Sequence, residues 1–231
     1  MRKLILNVVL AITAICCLSS CGYDNFDKPE TYLTGHVEYN GQALQLPGSA
    51  GQIQLQAYQS GYQLTSPITI YVDQDGRFSA RLFNGHYKIV TKDNNGPWVN
   101  ARDTVEVDLS GSTEIHVSVT PYFLLSDYTC KFNTNTRTLT IGFTIQRIVS
   151  NAQIDYAAVC IGTTSIVDEQ NNALKISIPA SQLSIGANTF TVPITDEQLA
   201  AINKAVKVTA RVGLRAVGAD RSIYTNIIAL K

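Results

Sequence analysis

From about Thr34 onward, apolar side chains recur at every second position. That alternation confines most of the chain to half-buried β-strands. Ile53, Leu55 and Ala57 alternate with Gln54, Gln56 and Tyr58, and Ile68, Ile70 and Val72 alternate with Thr69, Tyr71 and Asp73. Val105, Val107 and Leu109 alternate with Thr104, Glu106 and Asp108, and Ile115, Val117 and Val119 with His116 and Ser118. Turn pairs fall between these runs at Asn40-Gly41, Pro47-Gly48, Asp75-Gly76, Asn84-Gly85, Asn95-Gly96-Pro97 and Ser110-Gly111. Six or seven strands at this spacing predict an antiparallel sandwich over residues 32–122.

Pro121 to Asp127 marks the expected boundary, and a second alternating series follows over residues 123–231. Its clearest strand carries Leu139, Ile141, Phe143 and Ile145. Ala157, Val159 and Ile161 form another inward row, and Leu174, Ile176 and Ile178 a third. Val206, Val208, Ala210, Val212 and Leu214 are expected inward, against Lys207, Thr209, Arg211 and Arg215 outward, and a last strand is expected from Ser222 to Leu230. This pattern predicts an immunoglobulin- or fibronectin-like sandwich. One short helix interrupts it. Thr195-Asp196-Glu197-Gln198 is a capping box, and Leu199, Ile202 and Ala205 form one apolar stripe that would plug an end of the core. The fold class expected is all-β, with two tandem antiparallel β-sandwiches.

The N-terminus reads as an address. Arg2 and Lys3 precede an apolar run from Leu4 to Leu18, which closes on Ser19-Ser20-Cys21. The run is too short for a comfortable membrane span and suits a signal peptide, residues 1–20. Cys21 is the expected site of lipidation, followed by an acidic tether over residues 21–31. Removal of Arg2 and Lys3 leaves 16 basic against 18 acidic side chains, a net charge of −2, which offers no footprint for nucleic acid.

Within the first sandwich, Gly35-His36-Val37, Asn40-Gly41, Pro47-Gly48, Asp73-Gln74-Asp75-Gly76-Arg77-Phe78 and Leu82-Phe83-Asn84-Gly85-His86-Tyr87 follow one another in an order that resembles the carboxypeptidase-regulatory-like domain. The resemblance implies a transthyretin-like sandwich and no peptidase activity. The arrangement of lipidated Cys21, acidic tether, regulatory-like sandwich and Ig-like sandwich is similar to a two-domain family of Bacteroidales lipoproteins known as a domain of unknown function. That resemblance implies association with starch-utilisation-type glycan-uptake loci. Oligosaccharide, a TonB-dependent transporter and its binding lipoprotein become the expected partners. The spaced acids of the tether resemble a surface-export signal, so an outer-membrane, cell-surface location is implied.

Motifs of hydrolases, metalloproteases, P-loops and redox dithiols are absent, so no enzyme activity and no cofactor are expected. His36, His86 and His116 have no metal-ligand partner at a useful sequence spacing, so no metal site is expected. Asp73-x-Asp75-Gly76 opens like a calcium loop but lacks the later acids, which favours a hairpin turn. A glycan binder needs an exposed aromatic face among groups that bond hydroxyls. Trp98, with Asn95 and Arg102 in the same loop, is the candidate, and Tyr58 and Tyr62 form a second one. The competing readings are a core plug for Trp98 and sheet-face decoration for the tyrosines. Asp103-Thr104-Val105 matches an O-glycosylation pattern at Thr104. Cys130 and Cys160 are left to pair as a disulfide or to stay as buried thiols. The function expected is a non-catalytic, surface glycan-binding accessory. The alternative is a spacer, assembly or adhesion lipoprotein acting through protein contacts.

Overall fold

The structure, a computed structural model, describes residues 28–49, 51–63 and 66–230. The signal segment, Cys21 and the first part of the tether lie outside the described residues, and Lys28 to Glu30 precede the first strand without regular structure. No helix among the described residues is long and apolar enough to cross a membrane.

The first sandwich comprises β1 (Thr31–Tyr39), β2 (Gln42–Ala43), β3 (Ile53–Gln59), β4 (Ile68–Val72), β5 (Arg77–Leu82), β6 (Gly85–Thr91), β7 (Val105–Leu109) and β8 (Thr113–Ser118). They pair in the order β2, β1, β5, β4, β3, β6, β7, with β8 on the other side of β1. β4 and β5 share a single pair, Val72↔Phe78, so the ladder turns a corner there and closes two layers on one core. Leu33 and Val37, Ile53 and Leu55, Ile70 and Val72, and Ile115 and Val117 fill that core, as the alternation requires. Each such side chain contributes about 1.5–3 kcal/mol by burial. Asn40 and Gly41 take positive φ, 50° and 76°, which suits the tight β1–β2 hairpin.

One pairing departs from the expected antiparallel scheme. After β7 the chain crosses to the other layer, and β8 runs parallel to β1, with His36 opposite His116. The two backbones approach so closely that a Cβ on Gly35 would lie 1.8 Å from the Ile115 carbonyl oxygen. Glycine is required there by that approach.

The second sandwich has one sheet of β9 (Phe123–Asn133), β10 (Thr138–Arg147) and β13 (Gly186–Pro193). The other sheet holds β11 (Ile154–Gly162), β12 (Leu174–Pro179), β14 (Thr209–Ala216), β15 (Ile223–Tyr224) and β16 (Ile228–Ala229). The expected last strand is therefore two short ones, interrupted where the Thr225 hydroxyl accepts the Val212 amide at 2.9 Å. Helix α1 (Asp196–Asn203) carries the capping box: Thr195 Oγ1 accepts the Gln198 amide and Gln198 accepts the Thr195 amide. Leu199 and Ile202 close one end of the core over an apolar cavity of about 220 Å³. Val206 corrects the expected inward row. It precedes β14 and is 96% exposed.

β11 and β14 are buried on both faces, because the first sandwich and the loop 163–172 cover their outer side. Asp168 anchors that junction with no exposed surface. It accepts the Ser49 amide (2.6 Å), the Ser49 hydroxyl (2.8 Å), the Gln52 side-chain amide (3.2 Å) and the Gln170 and Asn171 amides (both 2.8 Å). Arg211, expected on a solvated face, is fully buried beside it. Its guanidinium lies 4.2 Å from the centre of the Tyr224 ring and donates to the Val167 carbonyl at 3.3 Å. Burial pushes the Arg211 pKa down to about 10.

The same double burial settles the cysteines, which are both free. Cys130 points into the second sandwich's core, whereas Cys160 lies with Ala158 and Val167 on the outer face of β11. A sheet separates the two thiols, so of the two alternatives the sequence leaves open, the structure takes the buried free thiols. Burial pushes Cys130 up to about 11 and Cys160 up to about 12. Iodoacetamide at mildly alkaline pH is expected to leave both unmodified in the native protein and to label both in concentrated guanidinium chloride without a reductant. Peptide mass spectrometry checks this.

Candidate functional site

The loop 93–102, the first candidate for ligand binding, folds as a strap across the domain junction. Asn95 Oδ1 accepts the Gln54 amide at 2.7 Å, and its Nδ2 donates to the Gln52 carbonyl at 2.8 Å, which ties the loop to β3. Trp98 is only 4% exposed and belongs to the core. Gly96 lies flat on the indole, leaving no room for a Cβ, which would stand 2.2 Å from the ring. On either side, the Pro97 carbonyl accepts the Tyr122 amide (3.0 Å) and the Val99 amide donates to the Thr120 carbonyl (2.9 Å). Asn95 therefore fixes the loop to β3, and Trp98 packs where the loop pairs with the interdomain segment. Neither is free to stack on or bond a sugar, which corrects that expectation.

The remaining candidates separate. Tyr58 and Arg102 meet through Gln56, whose Oε1 accepts from the Tyr58 hydroxyl at 3.4 Å and from Arg102 at 3.1 Å. Arg102 also pairs with Asp93 at 2.6 Å. Tyr62 is exposed, past the end of β3, and does not join this group.

The polar row continues along the outer face of β4, β3 and β6 to Tyr71, which alternates outward on β4. Lys92 donates to Gln54 Oε1 at 2.9 Å, and Gln54 stands opposite Tyr71. Tyr71 is 59% exposed. It lines two open clefts at the β4–β5 corner. One, of about 480 Å³, is bounded by Gly48, Ser49, Gly51 and Asp73. The other, of about 410 Å³, is bounded by Thr34, Arg77, Ser79 and Glu114. Tyr71 thus offers a ring face flanked by amides, cations and carboxylates. The available signal was its outward parity, and the cleft beside it depends on the corner.

Asp73 serves the turn: its Oδ1 accepts the Asp75 and Arg77 amides, both at 2.9 Å, as the hairpin reading requires. Thr104 is exposed, one residue before β7. His86 lies on an outer face between Asp108 at 2.7 Å and Glu106 at 3.6 Å. The parallel pairing of β1 and β8 brings together side chains that are distant in sequence. It gathers His36, Glu38 and His116 with ligand atoms within 4.8 Å of one another.

The family described as "Protein of unknown function (DUF3823) N-terminal domain" matches residues 31–120, and the "Domain of unknown function (DUF3823_C)" matches residues 128–228. A DUF3823 family protein of Parabacteroides merdae is 40% identical, with a TM-score of 0.83 over 89% of this chain and 100% of that one. Another from Bacteroides ovatus is 30% identical, with a TM-score of 0.76 over 87% of this chain and 100% of that one. A Bacteroides uniformis protein described as a "putative carbohydrate binding protein" shares the fold at 16% identity, with a TM-score of 0.68 over 88% of this chain and 99% of that one. No curated protein matches the chain. With both halves matched in sequence and the whole fold shared, the chain belongs to the two-domain DUF3823 family.

Proposed function

We propose that this protein is a non-catalytic, lipid-anchored glycan-binding accessory of the bacterial cell surface, holding oligosaccharide near an outer-membrane transporter. The observation that carries this reading is Tyr71. Its exposed ring flanks two shallow clefts and stands opposite Gln54, from which Lys92, Gln56 and Arg102 continue a polar row on the same sheet face. An aromatic face packs against sugar C–H groups, and neighbouring amides and cations bond the hydroxyls. Shallow, open clefts suit a polymer that is held rather than cut. The lipid anchor rests on Cys21, and the transporter partner rests on the association with glycan-uptake loci that the family resemblance implies. The carbohydrate-binding description of the Bacteroides uniformis neighbour points the same way.

Affinity electrophoresis against a panel of plant and host polysaccharides tests the reading. At least one polysaccharide is expected to retard the wild type. Tyr71→Ala is expected to weaken that binding by about tenfold or more, as loss of an anchoring aromatic does. Trp98→Phe is expected to leave it unchanged. Equal retardation of Tyr71→Ala and wild type would remove the site from this face. A panel without any retarded polysaccharide would favour a spacer role, for which the Asp168 junction is suited because it holds the sandwiches in one fixed relation.

A further inference from the structure

We propose that His36, Glu38 and His116 form a binding site for a borderline divalent cation of the zinc class, on the outer face of β8, β1 and β5. His36 Nε2 lies 3.0 Å from Glu38 Oε2, and His116 Nδ1 lies 3.9 Å from the same oxygen. With metal–ligand bonds of 2.0–2.1 Å, neighbouring donors in a tetrahedral site stand about 3.3 Å apart. A small rotation of His116, whose side chain is half-exposed, closes the difference.

Two features set this group apart from ordinary surface polar residues. The Glu38 side chain is only 15% exposed, yet its ion-pair partners among the described residues are the two imidazoles, with no lysine or arginine. A carboxylate so covered needs a counter-charge. The two imidazole rings stand 4.3 Å apart, centre to centre. One cation between their nitrogens would meet both rings and the carboxylate. Ser118 contributes the orienting bond found around metal ligands: its hydroxyl donates to Glu38 Oε1 at 3.3 Å, which leaves Oε2 turned towards the histidines.

The donor chemistry selects the ion. Two imidazole nitrogens and one carboxylate suit zinc, nickel, copper and iron(II), while magnesium and calcium require oxygen ligands. Three protein donors leave a coordination position for water or an incoming group. The surrounding charge is permissive. Glu114 precedes His116 by two residues on β8, and Arg77 stands opposite His36 on β5, so two carboxylates face one exposed guanidinium. A bound cation would tie the edge strand β8 to β1. This inference does not rest on the glycan-binding reading, although Thr34 and Glu114 of the adjoining cleft lie on the same two strands.

Isothermal titration of EDTA-treated, untagged protein with zinc chloride tests the site. One zinc per chain is expected to bind saturably and raise the melting temperature, with no response to calcium or magnesium. His116→Ala and Glu38→Gln are each expected to weaken zinc binding by at least about tenfold, with metal-free melting curves like the wild type's. His36→Gln supplies a further ligand loss if Glu38→Gln disturbs the metal-free fold. Absence of saturable zinc binding by the wild type, or wild-type affinity in the ligand variants, would overturn the proposal.

Discussion

Asp168→Ala is expected to destabilise the protein by about 3–5 kcal/mol, the cost of removing a buried charge and leaving its partners unpaired. The carboxylate accepts five hydrogen bonds that come from both sandwiches. Its loss leaves the half-buried Ser49 amide and hydroxyl and the buried Gln52 side chain without their acceptor. It also withdraws the nearby negative charge from the buried Arg211 guanidinium. Ser49→Ala removes one of these bonds and is expected to cost about 1 kcal/mol. Chemical denaturation of the two variants, followed by circular dichroism, measures both numbers.

The same residue sets an acid limit. Burial alone raises the Asp168 carboxyl, but the bonds from Asn171, Ser49 and Gln170 together outweigh it and hold the group below its ordinary value of 3.8. A depressed folded value means that the unfolded chain binds protons first as pH falls. The stabilisation is therefore complete above the ordinary aspartate range and is lost as the pH drops from there through the lower folded value. Asp168→Ala is expected to flatten that part of the acid-unfolding profile.

Trp98→Ala is expected to cost about 3–5 kcal/mol, the range for deleting a large aromatic side chain from a core. The indole fills the junction beneath Gly96, between the strap 93–102 and the interdomain segment. It is the only tryptophan in the chain, so fluorescence reports on it alone. Blue-shifted emission and poor quenching by acrylamide are expected in the native protein, together with a lowered melting temperature for Trp98→Ala. A solvent-exposed spectrum would contradict this packing and favour Trp98 as a stacking platform.

Much of the fold was legible because it is local. The inward rows of β3 and β10 follow from strict alternation, and Thr195 to Gln198 state where α1 begins. The misread residues are those whose environment is supplied by distant segments. Thr209 and Arg211 have the pattern of a solvated strand face, but the loop 163–172, to whose Thr164 and Val167 carbonyls they donate, and the first sandwich beyond it bury them. Asn95 and Trp98 sit in a polar, turn-rich stretch that resembles a binding loop, yet they pair with β3 and with residues 120–122. His36 and His116 become neighbours only through the parallel register of β1 and β8, which no short-range pattern encodes. Tyr71 is intermediate: its outward parity could be read, but the clefts beside it arise where β4 and β5 part after Val72 and Phe78.

The most direct test of the glycan-binding account is an amide NMR titration of isotope-labelled protein with an oligosaccharide from whichever polysaccharide binds most tightly. The account predicts chemical-shift changes concentrated at Tyr71, Gln54, Gln56, Tyr58 and Arg102, with saturation lost in Tyr71→Ala. Shifts centred on the second sandwich, or an unperturbed Tyr71 face at saturating ligand, would contradict it.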